Sequence, residues 1–176
     1  MTGETARAAL LINVADLLRR PASRKSVRLT VPSDGFTVVD STVPAGAPID
    51  VDLELESLTD SVVVTGQVSA PWEAVCRRCL GPAHGRLDVT VRELYQPEPL
   101  SEEAFAIDGE VLDLEPLVRE AVLLELPLAP LCRSDCAGLC PECGVDRNEV
   151  DCGHRPDTGD PRWAALDGLR DGLDPN

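Results

Sequence analysis

Seven cysteines and two histidines are the side chains of this 176-residue sequence whose spacing could do chemistry. The cysteines and one histidine fall in two groups: Cys76-Arg77-Arg78-Cys79, and Cys132-x3-Cys136-x3-Cys140-x2-Cys143-x8-Cys152-Gly153-His154. A C-x2-C pair on a tight turn brings two thiolates within reach of one ion, and intervening backbone N–H groups can point at the sulfurs. Zn²⁺ takes four such ligands tetrahedrally and undergoes no redox change. One pair is a weak signal; two pairs with four further ligands are a strong one.

Cys76, Cys79, Cys132, Cys136, Cys140, Cys143, Cys152 and His154 make eight ligands, enough for two tetrahedral sites with none left over. One partition joins Cys76 and Cys79 to Cys140 and Cys143, leaving Cys132, Cys136, Cys152 and His154. The other keeps Cys140, Cys143, Cys152 and His154 together and pairs Cys76 and Cys79 with Cys132 and Cys136. Spacing alone does not choose between them, and a single site with spare thiols is also open. The metal expected is therefore zinc, one or two ions, in a structural role. It would order a segment such as Ser134–Gly138 that lacks apolar mass. His84, within Gly81-Pro82-Ala83-His84-Gly85, reads as a surface turn residue.

Other chemistries fail on context. Cys136-x3-Cys140-x2-Cys143 has the spacing of radical-SAM enzymes, but only 33 residues follow Cys143, too few for their barrel. A zinc deaminase needs H-x-E, whereas Arg86 and Pro156 stand at that place after His84 and His154. Cys76-x2-Cys79 lacks the βαβ context of a thioredoxin-like pair. There is no P-loop, no G-x-S-x-G and no H-E-x-x-H. The expectation is a protein that is not an enzyme and has no small-molecule substrate.

The elements that must position these ligands can be read from periodicity. Leu10, Leu11, Val14, Leu17 and Leu18 recur at helical spacing and Pro21 ends the pattern. Val27, Leu29 and Val31 alternate with polar residues, and Ser33-Asp34-Gly35 turns the chain into Phe36–Val39, which reads as a hairpin. Val51, Leu53 and Leu55 alternate with acidic residues, Val62–Val68 is a β-branched run, and Leu87, Val89 and Val91 alternate again. Gln96–Glu110 is acidic, carries two prolines and reads as a linker or mobile loop. Asp113 can cap a helix bearing Leu114, Leu117, Val118, Ala121 and Val122 before Pro127. Asp160-Pro161 starts a further helix with Trp163, Leu166 and Leu169 on one face.

The fold class expected is α+β: an antiparallel β-sheet with flanking helices and a Cys-rich, zinc-binding C-terminal segment. Residues 1–26 would form an N-terminal helix and basic segment. Residues 27–128 would form the α+β core with its acidic loop 96–110, and 129–176 the metal-binding segment and last helix. Aromatics are 3% of the chain, so the core is aliphatic.

The formal charge is −15. Residues 1–30 hold six basic side chains against Glu4 and Asp16, a net of +4, so the remainder carries −19. That body repels polyphosphate and suits a basic partner such as a ribosomal protein. Direct RNA contact would fall to Arg19, Arg20, Arg24 and Lys25, with Arg77 and Arg78. No export signal or membrane-spanning run is evident, which predicts a cytoplasmic protein where clustered thiols are ligands rather than disulfides.

Cys76-Arg77-Arg78-Cys79-Leu80, followed by Leu131-Cys132-x3-Cys136-Ala137-Gly138-Leu139-Cys140-Pro141-Glu142-Cys143-Gly144, resembles the bacterial YceD family of large ribosomal RNA subunit accumulation proteins. Asn148, the Asp160-Pro161-Arg162 helix start, the 113–125 helix and the leucine-rich N-terminal helix agree. Cys152-x-His154 stands where the family commonly shows C-x-C, a change that keeps a ligand. The resemblance implies a non-enzymatic role in synthesis, processing or stability of 23S rRNA and in large-subunit biogenesis. Two other readings follow from the cysteines and the charge: a thiol-based redox or zinc sensor, and a protein-binding adaptor that never touches RNA.

Overall fold

A computed structural model describes residues 7–99 and 104–155. The chain divides into two compact units, Met1–Arg77 with Gly81–Ser134, and Arg78–Leu80 with Asp135–Asn176.

The first unit is built on strands in which an apolar residue alternates with a polar one. In β5 (Pro48–Ser57), Ile49, Val51, Leu53 and Leu55 are buried, while Asp50, Asp52, Glu54 and Glu56 face outward. Its antiparallel neighbours are β2 (Arg24–Pro32) and β6 (Val62–Val75), and β6 continues into β7 (Pro82–Gln96). The β6–β7 ladder runs from Val62–Tyr95 to Val75–Pro82 and is the backbone of the fold. One edge of β6 serves two partners: residues 62–69 pair with β5, and Glu73 and Ala74 pair with β4 (Ser41–Val43).

Gly66 lies where β5 and β6 cross closely. Its φ is +147°, and a Cβ there would run into the Asp52 carbonyl oxygen and come within 2.8 Å of Leu53 Cα. Glycine is therefore required at this point of the β-branched run. Gly85, opposite Trp72, leaves the room that the indole occupies.

The buried face of the sheet is covered by α1 (Ala15–Leu18) and α2 (Glu115–Glu125), while β1 (Leu11–Asn13) and β9 (Val111–Asp113) lie at one end of the strand order. Asp113 Oδ1 accepts the Glu115 N–H at 2.9 Å, and α2 stops at Glu125, two residues before Pro127. Leu117, Val118, Ala121 and Val122 form its buried stripe. Among the described residues no helix is long and apolar enough to cross a membrane.

The sheet is mixed rather than purely antiparallel. Tyr95 and Gln96 of β7 pair in parallel with Phe105 and Ala106 of β8 (Phe105–Asp108), and β8 and β9 carry the sheet on to β1. This corrects the reading of Gln96–Glu110 as a linker: Phe105 stacks on Tyr95 with ring centroids 5.0 Å apart, and that contact anchors a strand inside the acidic stretch.

The expected N-terminal helix is also corrected. Leu11–Asn13 is a strand on β9, and between residues 10 and 18 only Ala15–Leu18 is helical, because the Asn13 side chain accepts the Ala15 N–H at 3.1 Å and turns the chain. Leu10, Val14 and Leu17 still reach the core, so their spacing was informative about burial but not about conformation. The expected hairpin of 27–31 with 36–39 does not form. Strand β2 pairs with β5, and β3 (Phe36–Val38) pairs with β4. Ser33 instead folds the connection locally, its Oγ accepting the Gly35 N–H. The helix expected from Asp160-Pro161, with Trp163, Leu166 and Leu169, lies outside the described residues.

In the second unit, backbone bonds replace a core. Leu139 and Asp146 form an isolated bridge, and the Arg147 N–H donates to the Gly138 carbonyl. The Val150 N–H donates to the Asp146 carbonyl.

Candidate metal centre

The long hairpin ends at Val75 and restarts at Pro82, so its connecting turn is Cys76-Arg77-Arg78-Cys79-Leu80-Gly81. The Cys76 N–H donates to the Gly81 carbonyl at 2.8 Å, and Leu80 takes a left-handed φ of +60°. The turn Cys140-Pro141-Glu142-Cys143-Gly144-Val145 repeats this backbone. There the Cys140 N–H donates to the Val145 carbonyl at 2.8 Å, and Gly144 has φ +72°. Both C-x2-C pairs are thus knuckles of one construction, with a left-handed residue directly after the second cysteine. Such a knuckle turns its amides toward the first sulfur, which is how thiolate charge is held.

The side chains gather into two sets. The ligand atoms of Cys76, Cys79, Cys132 and Cys136 all lie within 4.8 Å of one another, as do those of Cys140, Cys143, Cys152 and His154. The grouping is the second of the two partitions that spacing left open. A tetrahedron with Zn–S bonds of about 2.3 Å has edges of ~3.8 Å, so both sets have a spacing compatible with one such ion. Four sulfurs, or three sulfurs and an imidazole, are also the donor sets such an ion takes in structural sites. In the first set Cys76 and Cys136 are buried and Cys132 is exposed; in the second only Cys140 is buried.

Electrostatics within the second set favour a shared cation. The amides of Cys143 and Glu142 hold the Cys140 thiol down to about 6, against an opposing effect of burial. The His154 amide favours the Cys152 thiolate, but Cys140, burial and Cys143 outweigh it and the Cys152 thiol is raised. One thiolate therefore forms readily and disfavours ionisation of its neighbour, an opposition that a shared cation would relieve. Gly153, at φ +73° and with its N–H on Asp151 Oδ1, sets the bend between Cys152 and His154.

Arg77 and Arg78 serve this architecture. The Arg77 N–H donates to the Pro130 carbonyl and its guanidinium to Leu128 O at 3.3 Å. The Arg78 guanidinium donates to Cys136 O at 3.0 Å, and its own carbonyl accepts the Leu139 N–H at 2.9 Å. Gly138 gives this contact room, since a Cβ there would sit 3.0 Å from Arg78 O.

Of the other proposed RNA-binding residues, three are engaged within the first unit. Arg19 pairs with Glu110 at 2.8 Å, Arg24 with Glu54 and Glu56, and Lys25 donates to Asn13 O at 2.8 Å. Arg20, Arg24 and Lys25 line a groove of about 410 Å³ with Asp16 and Ser23. His84 is not in a turn but an exposed position of β7 opposite Glu73.

The model of the family described as large ribosomal RNA subunit accumulation protein YceD matches residues 64–170, which takes in both knuckles and all eight ligands. The chain belongs to the YceD family. YceD-family membership is supported along most of the chain by similarity to an uncharacterized protein of Mycobacterium tuberculosis, 40% identical over 167 residues, 89% of this chain and 79% of that protein. An uncharacterized protein of Mycobacterium leprae is also 40% identical, over 168 residues, 89% of this chain and 76% of its own length. The uncharacterized protein YlbN of Bacillus subtilis is 24% identical over 149 residues, 80% of this chain and 84% of that one. No solved structure matches this YceD-family chain.

Sequence reasoning did not single out Asn148 as more than part of the family pattern. Its side chain sits against the first set, with Nδ2 donating to Cys136 Sγ at 3.3 Å.

Proposed function

We propose that this protein is a cytoplasmic, non-enzymatic zinc-binding factor that supports 23S rRNA accumulation and large ribosomal subunit biogenesis. The observation that carries the reading is the coincidence of the YceD family match with two complete four-ligand sets. Zinc bound in them would supply two tetrahedral cross-links and no catalysis, because four protein ligands leave no position for a reacting water. The residues then have one task, to hold a rigid shape for a partner. That partner is a basic ribosomal protein or pre-rRNA, and the pairing of Arg19, Arg24 and Lys25 within the chain favours the protein.

The test has two arms. Protein purified without chelator should contain two zinc ions per chain. Cells lacking the gene should show a reduced 23S-to-16S ratio that wild-type protein restores and Cys76→Ser/Cys79→Ser protein does not. A metal-free chain, or full restoration by the double variant, overturns the reading.

A second reading rests on exposure. Cys143 and Cys132 are exposed, which opens the sets to oxidants and suits a redox or zinc sensor. Zinc release by substoichiometric peroxide at neutral pH would favour it, and release only on denaturation would exclude it.

A further inference from the structure

Asn148 lies between Cys143 and Cys152, two ligands of the second set, yet its side chain is committed to the first. Its Nδ2 donates to Cys136 Sγ at 3.3 Å, and its Oδ1 accepts the Ala137 N–H at 2.8 Å, so the amide straddles the Cys136–Ala137 step. Asp146 fixes this amide in turn, its Oδ1 accepting both the Asn148 side-chain Nδ2, at 2.6 Å, and the Asn148 backbone N–H, at 2.8 Å. Asp146 itself is tied down by the bridge to Leu139 and by the Glu149 and Val150 N–H groups on its carbonyl.

We propose that Asn148 is a positioning residue that couples the two metal centres: the loop closed by the second set aims an amide donor at a thiolate of the first. The proposal rests on the metal-binding reading above. A hydrogen bond from outside the ligand shell orients a thiolate and favours its charged, ligating form, and loss of such a partner weakens metal binding by roughly 10–100-fold. Because the loop 144–151 is closed at Cys143 and Cys152, filling the second set holds Asn148 in place and raises affinity at the first. By linkage, filling the first must raise affinity at the second by the same factor.

The experiment uses Co²⁺, whose thiolate charge-transfer bands report each centre, with the full chain and a competing chelator. Cys152→Ala/His154→Ala leaves the all-sulfur centre alone, and Cys132→Ala/Cys136→Ala leaves the other, giving reference spectra. Asn148→Asp keeps an acceptor for the Ala137 N–H but offers no donor to the sulfur. Expected is about a tenfold loss of Co²⁺ affinity at the all-sulfur centre with a shifted charge-transfer band. Cys152→Ala/His154→Ala should cause a loss of similar size at that centre, and adding Asn148→Asp to it should cost little more.

Wild-type affinity and band position in Asn148→Asp overturn the coupling, as does full additivity in the combined variant. If Asn148→Asp does not fold, Asn148→Ser, which shortens the arm, must show the same loss, and wild-type binding by it overturns the proposal equally. A wild-type chain that takes up no Co²⁺ through thiolates instead removes the metal reading itself.

Discussion

Tyr95 is the only tyrosine in the chain, and Lys25 the only lysine. The Tyr95 ring is fully buried against Phe105, and its hydroxyl donates to the Asp113 carbonyl at 3.1 Å, just before α2 begins. Burial, then the charges of Asp113 and Glu93, push its ionisation well above the ordinary 10.0. Above pH 10 the unfolded chain therefore loses this proton while the folded chain keeps it. Stability must fall as pH rises through that range. Tyr95→Phe removes the hydroxyl and should cost about 1 kcal/mol at pH 8, the net worth of one buried hydrogen bond. The gap should close as the pH is raised past 10, because the variant has no phenol to titrate. Urea unfolding of both proteins at pH 8 and pH 10.5 measures this, and a gap that does not shrink refutes the assignment. The same scale holds the limit of what sequence could say about Leu80, which takes φ +60° without being glycine. Its partner position in the other knuckle, Gly144, shows which residue type that geometry prefers.

At the scale of elements, what holds residues 135–155 in shape is not apolar burial but the two knuckles and the bonds between 137 and 150. Removal of the proposed zinc should therefore act locally. Chelation under reducing conditions should drop the amides of Leu139, Cys140, Arg147 and Val150 to the ~0 kcal/mol protection of frayed segments, while β5, β6 and β7 stay protected. Hydrogen exchange with and without chelator reads this directly, and protection that survives metal loss would mean that something other than metal orders the segment. Several of these elements were legible beforehand. Alternation at Val51, Leu53 and Leu55 marked β5, Asp113 marked the start of α2, and the C-x2-C spacing marked both knuckles. The N-terminal element was not legible, since Leu10, Val14 and Leu17 bury at helical spacing from a turn, the residue between β1 and α1, and one helical turn. The partner of β2 was hidden because Val27–Val31 pairs with Ile49–Leu53, across an intervening β3–β4 hairpin that local turn signals could not reveal. The ligand partition was hidden for the same reason: spacing describes one turn, whereas grouping depends on which turns meet.

The whole molecule is acidic, at −15, and its described surface gives nucleic acid little to hold. The outward face of β2, β5, β6 and β7 offers Arg28–Asp52 and Arg86–Asp50 ion pairs and Thr30 on Asp50, with no aromatic side chain to stack a base. Of the basic residues near α1, Arg19 and Arg24 already face carboxylates, so a phosphate would have to displace Glu110, Glu54 and Glu56 before gaining a contact. Exposed pairs of this kind are worth less than about 1 kcal/mol each, so they can be displaced, but the net positive field they leave is small. A basic ribosomal protein, the partner proposed above, would gain from the excess of carboxylates. The expected outcome follows from that balance. Tagged protein should retain a basic ribosomal protein after nuclease treatment of the extract. Reversal of Arg19, Arg20, Arg24 and Lys25 to glutamate should leave that association and 23S rRNA levels within about twofold of wild type. Were those four residues the ones that grip RNA, the result would differ in kind. Binding to single strands would fall with log salt at a slope of roughly −3, about 0.7 for each phosphate contacted, and the reversed variant would lose it. Nuclease-sensitive capture together with that slope would move the partner from protein to RNA and restore the basic groove as its contact surface.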